Sequence, residues 1–292
     1  MSLPIIIISY KSLSKIKKCL SNLGNKNEVL IIENSSDNEI KHSIENEYIN
    51  CKVIINQKNL GYGKAANIAL NEIKTKYALI LEPDVKIDEN QIINIENEIS
   101  LCEEDFALAT PLYDDLIDFN KNNNFDKDLS KINININETK TKIDLIKGCS
   151  LIVNLDKFKT EKVFDENFFF FYEDIDLCKR IKKMGENIFV FNKIKIVHEG
   201  AQGVSSDINQ EYLNFRHWNY YWSRFYYHKK HYGYITSFLQ HISKLIRFFV
   251  SYAVLYFFSK ERFIKNKYRF LGLFSSMIGI KSSKSKNILT KK

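Results

Sequence analysis

Short, nearly uninterrupted apolar runs alternate with amphipathic segments over the first two thirds of the chain. Runs at residues 4–8, 29–32 and 53–55 each end in a polar loop, and a fourth run covers residues 77–81. Between the third and fourth runs, residues 62–75 place apolar side chains at helical spacing. Strands alternating with helices predict an α/β fold, with a mostly parallel sheet covered on both faces. Ligands of such sheets bind at the carboxyl ends of the strands.

Two helix signals and one interruption complete the pattern of this region. Asp88 and Gln91 have the spacing of a capping box, and Glu173 to Met184 is amphipathic with Gly185 just past its end. Residues 114–142 break the alternation, being rich in Asp, Asn and Lys. We predict an irregular excursion there, around the alternating stretch at 132–136 and with an edge strand.

From about residue 212 the composition becomes aromatic and basic, and strand signals disappear. The longest uncharged stretch, residues 248–259, is well short of the roughly 20 residues that a membrane-spanning helix needs. The pattern therefore predicts an α/β domain over residues 1–211 and a helical region over residues 212–292, without a transmembrane helix.

The formal net charge of +8 suits nucleic acid, anionic lipid or phosphorylated substrates equally well, so its location is more informative. In the helical region, Leu245, Phe249, Tyr252 and Tyr256 recur at helical spacing among basic residues. We expect this region to rest on the cytoplasmic face of a membrane, and we expect no nucleic-acid partner. The alternative is that these helices pack on the rest of the chain or form a homo-oligomer.

The cysteines and the first residues bear on the compartment. Five cysteines contain no CxxC pair and lie beside apolar neighbours, which is typical of reduced thiols in the cytoplasm. The apolar run at residues 5–8 has neither a basic segment before it nor a small-residue cleavage site after it, so we do not expect a signal peptide.

Three groups of residues could carry chemistry. Glu82 and Asp84 directly follow the fourth apolar run, where carboxylates can hold a divalent cation, although an ordinary proline turn explains them equally well. An aromatic run at 168–172 leads to Glu173 and Asp174, and apolar surroundings raise a carboxyl pKa toward that of a general base. The alternative is acidic residues favoured by a helix N-terminus. His198 is more often structural than a metal ligand when considered alone.

A glycine motif at residues 61–66 formally matches the dinucleotide fingerprint. It follows the third apolar run, however, and the turn after the first run lacks glycine. A dinucleotide-dependent oxidoreductase is therefore disfavoured.

Taken in order, these segments resemble the family two glycosyltransferases of the GT-A fold, in the branch similar to bacterial rhamnosyltransferases. The resemblance covers roughly residues 3–205 and rests on the order and spacing of its segments. These are IIIISYKS, LIIENSSD, NQKNLGYGKAAN, LILEPDV, KGCSLIV, FDENFFFFYEDIDLCKRIKKMG and IKIVHEG.

The resemblance implies an inverting hexosyltransferase. It would move a sugar, rhamnose being favoured, from a nucleotide-diphosphate donor to a saccharide acceptor with Mg²⁺ or Mn²⁺ as cofactor. Asp84 matches the last acid of the family's metal motif, and Glu82 and Pro83 depart from that motif. His198 matches a residue beside metal and diphosphate. Asp174, the second acid of the pair with Glu173, matches the catalytic base.

The resemblance also implies a donor pocket. The residues that would border the nucleotide are Ser9, Tyr10, Glu33, Asn34 and Asp37, and those that would shape the pocket beneath the diphosphate are Asn59, Gly61 and Asn67. The processive Q-x-x-R-W signature is absent, which implies one sugar per encounter. Together with the basic aromatic tail, the resemblance implies a lipid-linked saccharide acceptor.

Two other functions stay open at this point. One is a sugar-nucleotide-binding or membrane-scaffold protein that has lost turnover, against which the joint presence of Asp84, Asp174 and His198 argues. The other is a glycoside hydrolase, which also needs two carboxyl groups a few ångströms apart.

Overall fold

A computed structural model describes residues 2–122, 124–199, 210–255 and 259–282. Within these residues the chain forms two compact units. The first contains residues 2–60, 64–164 and 174–199, and the second contains residues 61–63, 165–173, 210–255 and 259–282. The domain limit at residues 211 and 212 stays a prediction.

The first unit is built on an eight-stranded sheet with the order β3-β2-β1-β4-β8-β6-β9-β7. The strands of this sheet are β1 (Ile5–Ser9), β2 (Val29–Glu33), β3 (Cys51–Ile55), β4 (Tyr77–Leu81), β6 (Leu108–Leu112), β7 (Lys140–Lys142), β8 (Ser150–Asn154) and β9 (Ile188–Lys195). Strands β3, β2, β1 and β4 are parallel to one another, β6 is parallel to β9, and β8 and β7 are antiparallel to their neighbours. Every residue of β1, β2 and β4 is buried, as expected for strands covered on both faces.

Six helices and a short 3₁₀ turn at Leu155–Phe158 connect these strands. The helices are α1 (Leu13–Leu23), α2 (Asn38–Glu47), α3 (Tyr62–Glu72), α4 (Glu89–Leu101), α5 (Asp114–Lys121) and α6 (Glu173–Lys183). The capping box predicted at Asp88 and Gln91 is confirmed at the start of α4. A two-stranded ribbon pairs β5 (Val85–Lys86) with β10 (Val197–His198). The predicted α/β fold with a mostly parallel sheet is confirmed.

The prediction for residues 114–142 is wrong in one detail and right about the edge strand. Residues 114–121 form helix α5, whose first turn carries Asp114 and Asp115, where the helix dipole favours acids. The edge strand is β7 at 140–142, and residues 132–136 are not a strand. In the alternating stretch at 132–136, Ile136 is exposed and only Ile134 is buried.

The second unit contains three long helices, α7 (Gln210–Tyr232), α8 (Tyr234–Leu255) and α9 (Lys260–Met277). An aromatic cluster joins α7 to the segment 165–173. Phe168 contacts Tyr226 edge to face at 4.9 Å between ring centroids, and Phe169 contacts Phe215 at 5.8 Å. Gly272 lets α9 approach α7 closely, since an added Cβ would lie 2.2 Å from the carbonyl oxygen of Trp218.

The predicted helical character of the C-terminal region is confirmed over its described residues. In those parts of the chain, none of the helices combines the length and the apolar character that crossing a membrane requires. The five cysteines are all free thiols, as predicted.

Candidate functional site

The β5–β10 ribbon brings together residues that lie far apart in the sequence. Glu82 follows β4, and its carbonyl accepts a hydrogen bond from the N–H of Val85 at 3.1 Å, which closes a turn at the end of the strand. The ribbon then pairs Val85 with His198. The N–H of Glu199 donates to the carbonyl of Asp84 at 3.2 Å. These bonds place His198 beside both acids.

Glu82, Asp84 and His198 form a three-residue cluster, with one ligand atom from each residue within 4.8 Å of the others. His198 Nε2 lies 3.7 Å from Glu82 Oε2 and 3.8 Å from Asp84 Oδ1. The Asp84 side chain is almost fully buried, and its Oδ1 atom has no hydrogen-bond partner in the described part of the chain. Two carboxylates and an imidazole suit a divalent cation, and a buried carboxylate oxygen without a donor suits one especially.

The electrostatics of the cluster agree with a cation site. Burial raises the pKa of Asp84, and repulsion from Glu82 adds to this effect. Attraction to the Glu82 carboxylate raises the pKa of His198, and Asp84 and Asp115 act in the same direction. The cluster therefore concentrates negative charge in a place where water is scarce.

Asp115 is a site residue that the sequence did not reveal. Its Oδ2 atom lies 3.7 Å from His198 Nδ1 and also accepts a hydrogen bond from Lys147. The edge of the Tyr113 ring contacts His198 at 6.2 Å between centroids. The distance between Asp115 and His198 is too long for a hydrogen bond, so Asp115 acts on His198 through its charge, which raises the pKa of the imidazole. The sequence pattern did not single out Asp115, because this residue lies in the segment predicted to be irregular.

Asp174 is half-buried in the first turn of α6. Its Oδ2 atom accepts a hydrogen bond from the backbone N–H of Gly148 at 3.1 Å, and its Oδ1 atom accepts one from Ile175 at 2.8 Å. Burial raises the pKa of Asp174 to about 6, the two backbone donors oppose this shift, and the charge of Glu82 adds to it. A carboxylate with a pKa near neutrality and a fixed position can act as a general base.

The backbone immediately before α6 is strained. Phe171 and Tyr172 both have a φ of 69°, which is the left-handed region that bulky residues avoid. The rings of both residues contact Tyr220, at 5.7 and 5.6 Å between centroids, and these contacts hold them in place. Strain of this kind costs about 1–3 kcal/mol per residue and clusters at functional sites. The aromatic run at 168–172 therefore packs on α7 and also fixes the backbone immediately before α6.

The other acids of this segment differ in their surroundings. Glu173 is buried at the first position of α6. Asp176 is fully buried and pairs with Arg180 Nε at 3.0 Å, so its charge is neutralised inside the first unit. Asp174 combines a raised pKa with a hydrogen bond from the loop at residue 148. The roles assigned to Asp174 and Glu173 stay predictions.

The ends of β1 and β2 carry another set of predicted site residues. Ser9 and Glu33 are paired neighbours in the sheet, and both are buried. Ser9 Oγ and Glu33 Oε2 are buried without hydrogen-bond partners among the described residues. Glu33 Oε1 accepts from the N–H of Lys11, which has a left-handed φ of 51°. Unused polar atoms at strand ends are suited to ligand binding.

Asn34 organises the loop that follows β3. Its Oδ1 atom accepts hydrogen bonds from Asn56 Nδ2 at 2.9 Å and from the N–H of Leu60 at 3.2 Å. This arrangement places half-buried Asn59 next to the same strand ends. Tyr10 is exposed directly after β1.

Three predicted pocket residues have evident structural roles. Asp37 caps α2 by accepting from the N–H of Glu39. Asn67 Nδ2 donates to the carbonyl of Phe164 at 2.9 Å, and Asn67 Oδ1 accepts from the N–H of Phe164 at 3.0 Å. Gly61 has a φ of 86°, and an added Cβ would lie 2.4 Å from the carbonyl oxygen of Phe169. The ligand-binding roles of these residues stay predictions.

The mostly parallel sheet and the helices that connect its strands have the architecture of the GT-A fold. The family model for "Glycosyl transferase family 2" matches residues 5–153, which is more than half of the chain. The chain therefore belongs to this family.

Two curated relatives agree with this assignment. The chain is 25% identical over 228 residues to the low-salt glycan biosynthesis hexosyltransferase Agl10 of Haloferax volcanii, covering 73% of each chain. It is also 25% identical over 217 residues to the rhamnosyltransferase WbbL of Escherichia coli K12, covering 66% of this chain and 82% of the relative.

Solved structures share the fold at low sequence identity. The mannosyltransferase PcManGT of Pyrobaculum calidifontis, solved with GDP-Man and Mn²⁺, superposes with a TM-score of 0.56 at 11% identity, covering 94% of this chain and 86% of its own. TarS 1-349 of S. aureus has a TM-score of 0.51 at 13% identity, covering 96% and 92%.

Proposed function

We propose that this glycosyltransferase moves one hexosyl or rhamnosyl residue per encounter from a nucleotide-diphosphate sugar to the hydroxyl group of a saccharide acceptor, with inversion. The cluster of Glu82, Asp84 and His198 is the observation that carries this proposal, because it offers a divalent cation two carboxylates and an imidazole beside buried strand ends. The structural neighbour PcManGT was solved with GDP-Man and Mn²⁺, which supports the same ligand classes here.

Asp84 and His198 would hold Mg²⁺ or Mn²⁺ together with Glu82, and the charge of Asp115 would act on His198. A bound divalent cation supplies positive charge that stabilises the negative charge developing on the departing diphosphate. Asp174 takes the proton of the acceptor hydroxyl. Gly148 and Ile175 hold its two oxygens in place, so the carboxylate does not need to reorganise during the reaction.

Ser9 Oγ and Glu33 Oε2 would bind the nucleotide, since both are buried polar atoms at adjacent strand ends without partners among the described residues. Tyr10, Asn34 and Asn59 would complete its border. The free Glu33 oxygen can accept hydrogen bonds only, so it suits the ribose hydroxyls or the N–H groups of a base.

The acceptor would be a lipid-linked saccharide used to build a cell-surface glycan. The relative Agl10 is named for glycan biosynthesis. This acceptor class would place the protein at the cytoplasmic face of a membrane, where lipid-linked sugars are found.

Donor binding tests the proposal directly. Wild-type protein is titrated with nucleoside diphosphates and their sugars, with and without Mn²⁺, and the unfolding temperature is followed. The proposal expects a metal-dependent increase for the correct nucleotide, because a ligand that binds the native state stabilises it by mass action. Asp84→Asn should lose this increase. Glu103→Gln removes one exposed negative charge outside the cluster and should retain it.

Equal metal-dependent binding by Asp84→Asn and Glu103→Gln would contradict the assignment of the metal ligands. Turnover is checked separately, by release of nucleoside diphosphate in the presence of lipid-linked saccharides from a membrane extract. Binding without release would favour a protein that has lost turnover, and release of free sugar from a glycoside without any donor would favour a hydrolase.

A further inference from the structure

Helix α8 buries the less apolar of its faces. Ser237 and His241 are almost fully buried, and Phe248 is buried about two to three turns further along the same side. Phe248 belongs to a cluster with Phe225 of α7 and Leu273 of α9, so this side of α8 faces the other two helices. The inward face therefore contains a hydroxyl group and an imidazole.

The two inward polar groups are held by hydrogen bonds within the second unit. Ser237 Oγ donates to the carbonyl of Phe225 at 3.2 Å, and His241 Nδ1 donates to the carbonyl of Ser237 at 2.8 Å. Burial keeps His241 neutral by lowering its pKa to about 4. The polar side of α8 therefore packs inside the second unit.

The opposite side of α8 is apolar and exposed. Ile235 and Leu239 have 75% and 67% of their surface exposed, and Ile246 has 56%. We name this surface the α8 face and define it by Ile235, Phe238, Leu239, Ile246, Phe249 and Val250. Ile235, Leu239, Ile246 and Val250 are spaced by four or seven residues, and Phe238 and Phe249 lie beside them, so the six form one stripe along the helix. A stripe of this size on the outside of a protein marks an interaction surface.

We propose that the α8 face docks on a lipid bilayer that contains anionic lipids. Charge complementarity identifies this occupant. From Tyr234 to Arg269 the chain has seven Lys or Arg residues and a single acid, Glu261. Arg247 is exposed on α8, and Lys260 and Arg262 are exposed at the start of α9, five and seven residues after the last residue of α8. We name Arg247, Lys260 and Arg262 the basic rim. Anionic lipid headgroups neutralise its positive charge.

A second copy of the chain fits this surface less well. Two α8 faces in contact would bring two basic rims together without acids to pair them, and like charges at short distance repel. A bilayer offers apolar chains for the stripe and negative charge for the rim at the same time. Amphipathic helices bound in this way lie in the plane of the interface.

The structure changes the stripe that the sequence predicts. Leu245 packs against the cluster of Phe225 and Phe248, so it does not belong to the exposed face. Phe249 does belong to it. The side chains of Tyr252 and Tyr256 lie outside the described residues. The stripe is therefore rotated around the helix toward Ile246 and Val250.

This inference extends the proposed use of a lipid-linked acceptor, but it rests on α8 alone. Vesicle binding needs neither donor nor acceptor. Loss of vesicle binding would leave the transferase proposal intact, and loss of metal-dependent donor binding would leave this inference intact.

The test is flotation of the full chain with phosphatidylcholine vesicles, with or without a minor fraction of phosphatidylglycerol. We expect flotation with the anionic vesicles, and release at high salt. The variant Leu239→Glu with Ile246→Glu should lower the fraction bound by roughly tenfold or more, because two large apolar groups are removed from the lipid contact. Thr236→Glu with Gln240→Glu adds the same charge at exposed positions outside the stripe and should lower binding much less.

Three results would overturn the inference: unchanged flotation of the Leu239→Glu, Ile246→Glu variant, an equal loss in the control, or wild-type dimers that only this variant converts to monomers. The last result would assign the face to a second copy. Circular dichroism confirms that the variants are folded. If the double variant does not fold, Leu239→Ser alone should still reduce flotation about threefold, since a single apolar contact is lost.

Discussion

The first unit and helix α8 distribute polarity in opposite ways. In the sheet, the apolar strands β1 and β4 are fully buried, and polar groups gather only where those strands end. In α8, Ser237 and His241 are inside and Leu239 and Ile246 are outside. The sheet buries its apolar side chains within the chain. Helix α8 leaves apolar side chains exposed, so its stability and its contacts depend on what surrounds the protein.

Matched leucine truncations in β4 and in α8 should show the largest difference between the buried sheet and the exposed helix face. Leu79→Ala removes a fully buried side chain from β4 and should reduce the free energy of unfolding by about 2–5 kcal/mol. Leu239→Ala removes an exposed side chain from the α8 face and should change it by less than about 0.5 kcal/mol. Urea unfolding of both variants measures the difference. A large loss for Leu239→Ala would mean that the α8 face is covered in solution.

Asp174→Asn tests whether polar groups of the first unit serve chemistry. The substitution keeps the shape of the side chain and removes its ability to take a proton. We expect turnover to fall by about a hundredfold or more while donor binding is kept. Glu173→Gln is the matched control. If Glu173→Gln is inactive and Asp174→Asn is nearly normal, the two roles are reversed.

Asp115→Asn should have a smaller effect, on metal affinity. Because Asp115 lies behind His198 and is outside the ligand cluster, its loss should weaken Mn²⁺ binding by about tenfold. Asp118→Asn, an exposed position on the same helix, should leave the affinity unchanged. Calorimetric titration of Mn²⁺ into the protein with bound nucleoside diphosphate measures both values. Equal affinities in the two variants would remove Asp115 from the site.

Acid should act in opposite directions on two histidines of the second unit and on Asp174. Burial lowers the pKa of His217 and of His241 from the ordinary 6.5 to about 4, so their contribution to stability is present above about pH 6.5 and is lost as the pH falls through about 4. Burial raises the pKa of Asp174 from 3.8 to about 6, so its contribution is present below about pH 4 and is lost as the pH rises through 6.

Fluorescence can separate these responses, because both tryptophans of the chain, Trp218 and Trp222, lie in α7. Thermal melts followed by tryptophan emission should shift down by a few degrees between about pH 7 and pH 5, since small free-energy changes move the midpoint of a domain by this amount. Replacing His241 by Leu should reduce the shift. A tryptophan melt that is independent of pH would show that neither histidine titrates differently on unfolding.

Much of the fold was predictable because local chemistry and burial agree in the first unit. The run 77–81 is β4 at the predicted residues, and Gly185 ends α6 with a positive φ of 74°. Helix α5 was missed because its sequence is polar on most sides, and only Leu116 and Asn120 anchor its buried face. A single apolar anchor per turn gives no clear period.

The individual residues of the candidate site were predictable from the sequence. The strand pairing that brings them together was not. Asp84 and His198 follow apolar runs, which marked both residues. The pairing of β5 with β10 was not visible, since each strand has two residues and carries no period of its own. Asp115 depends on that pairing for its place behind His198. The outward stripe of α8 was seen as a helical period, but the period alone does not show which side faces the neighbouring helices.

The ribbon of β5 and β10 also has a consequence for the order of events during synthesis. Glu82 and Asp84 leave the ribosome more than a hundred residues before His198. The chain must therefore build β6, β8 and β9 before the third ligand can join the first two. A nascent or truncated chain that stops before His198 carries the two acids without the imidazole. If the cluster binds a metal as proposed, its capture would report that the first unit has been synthesised almost to its end.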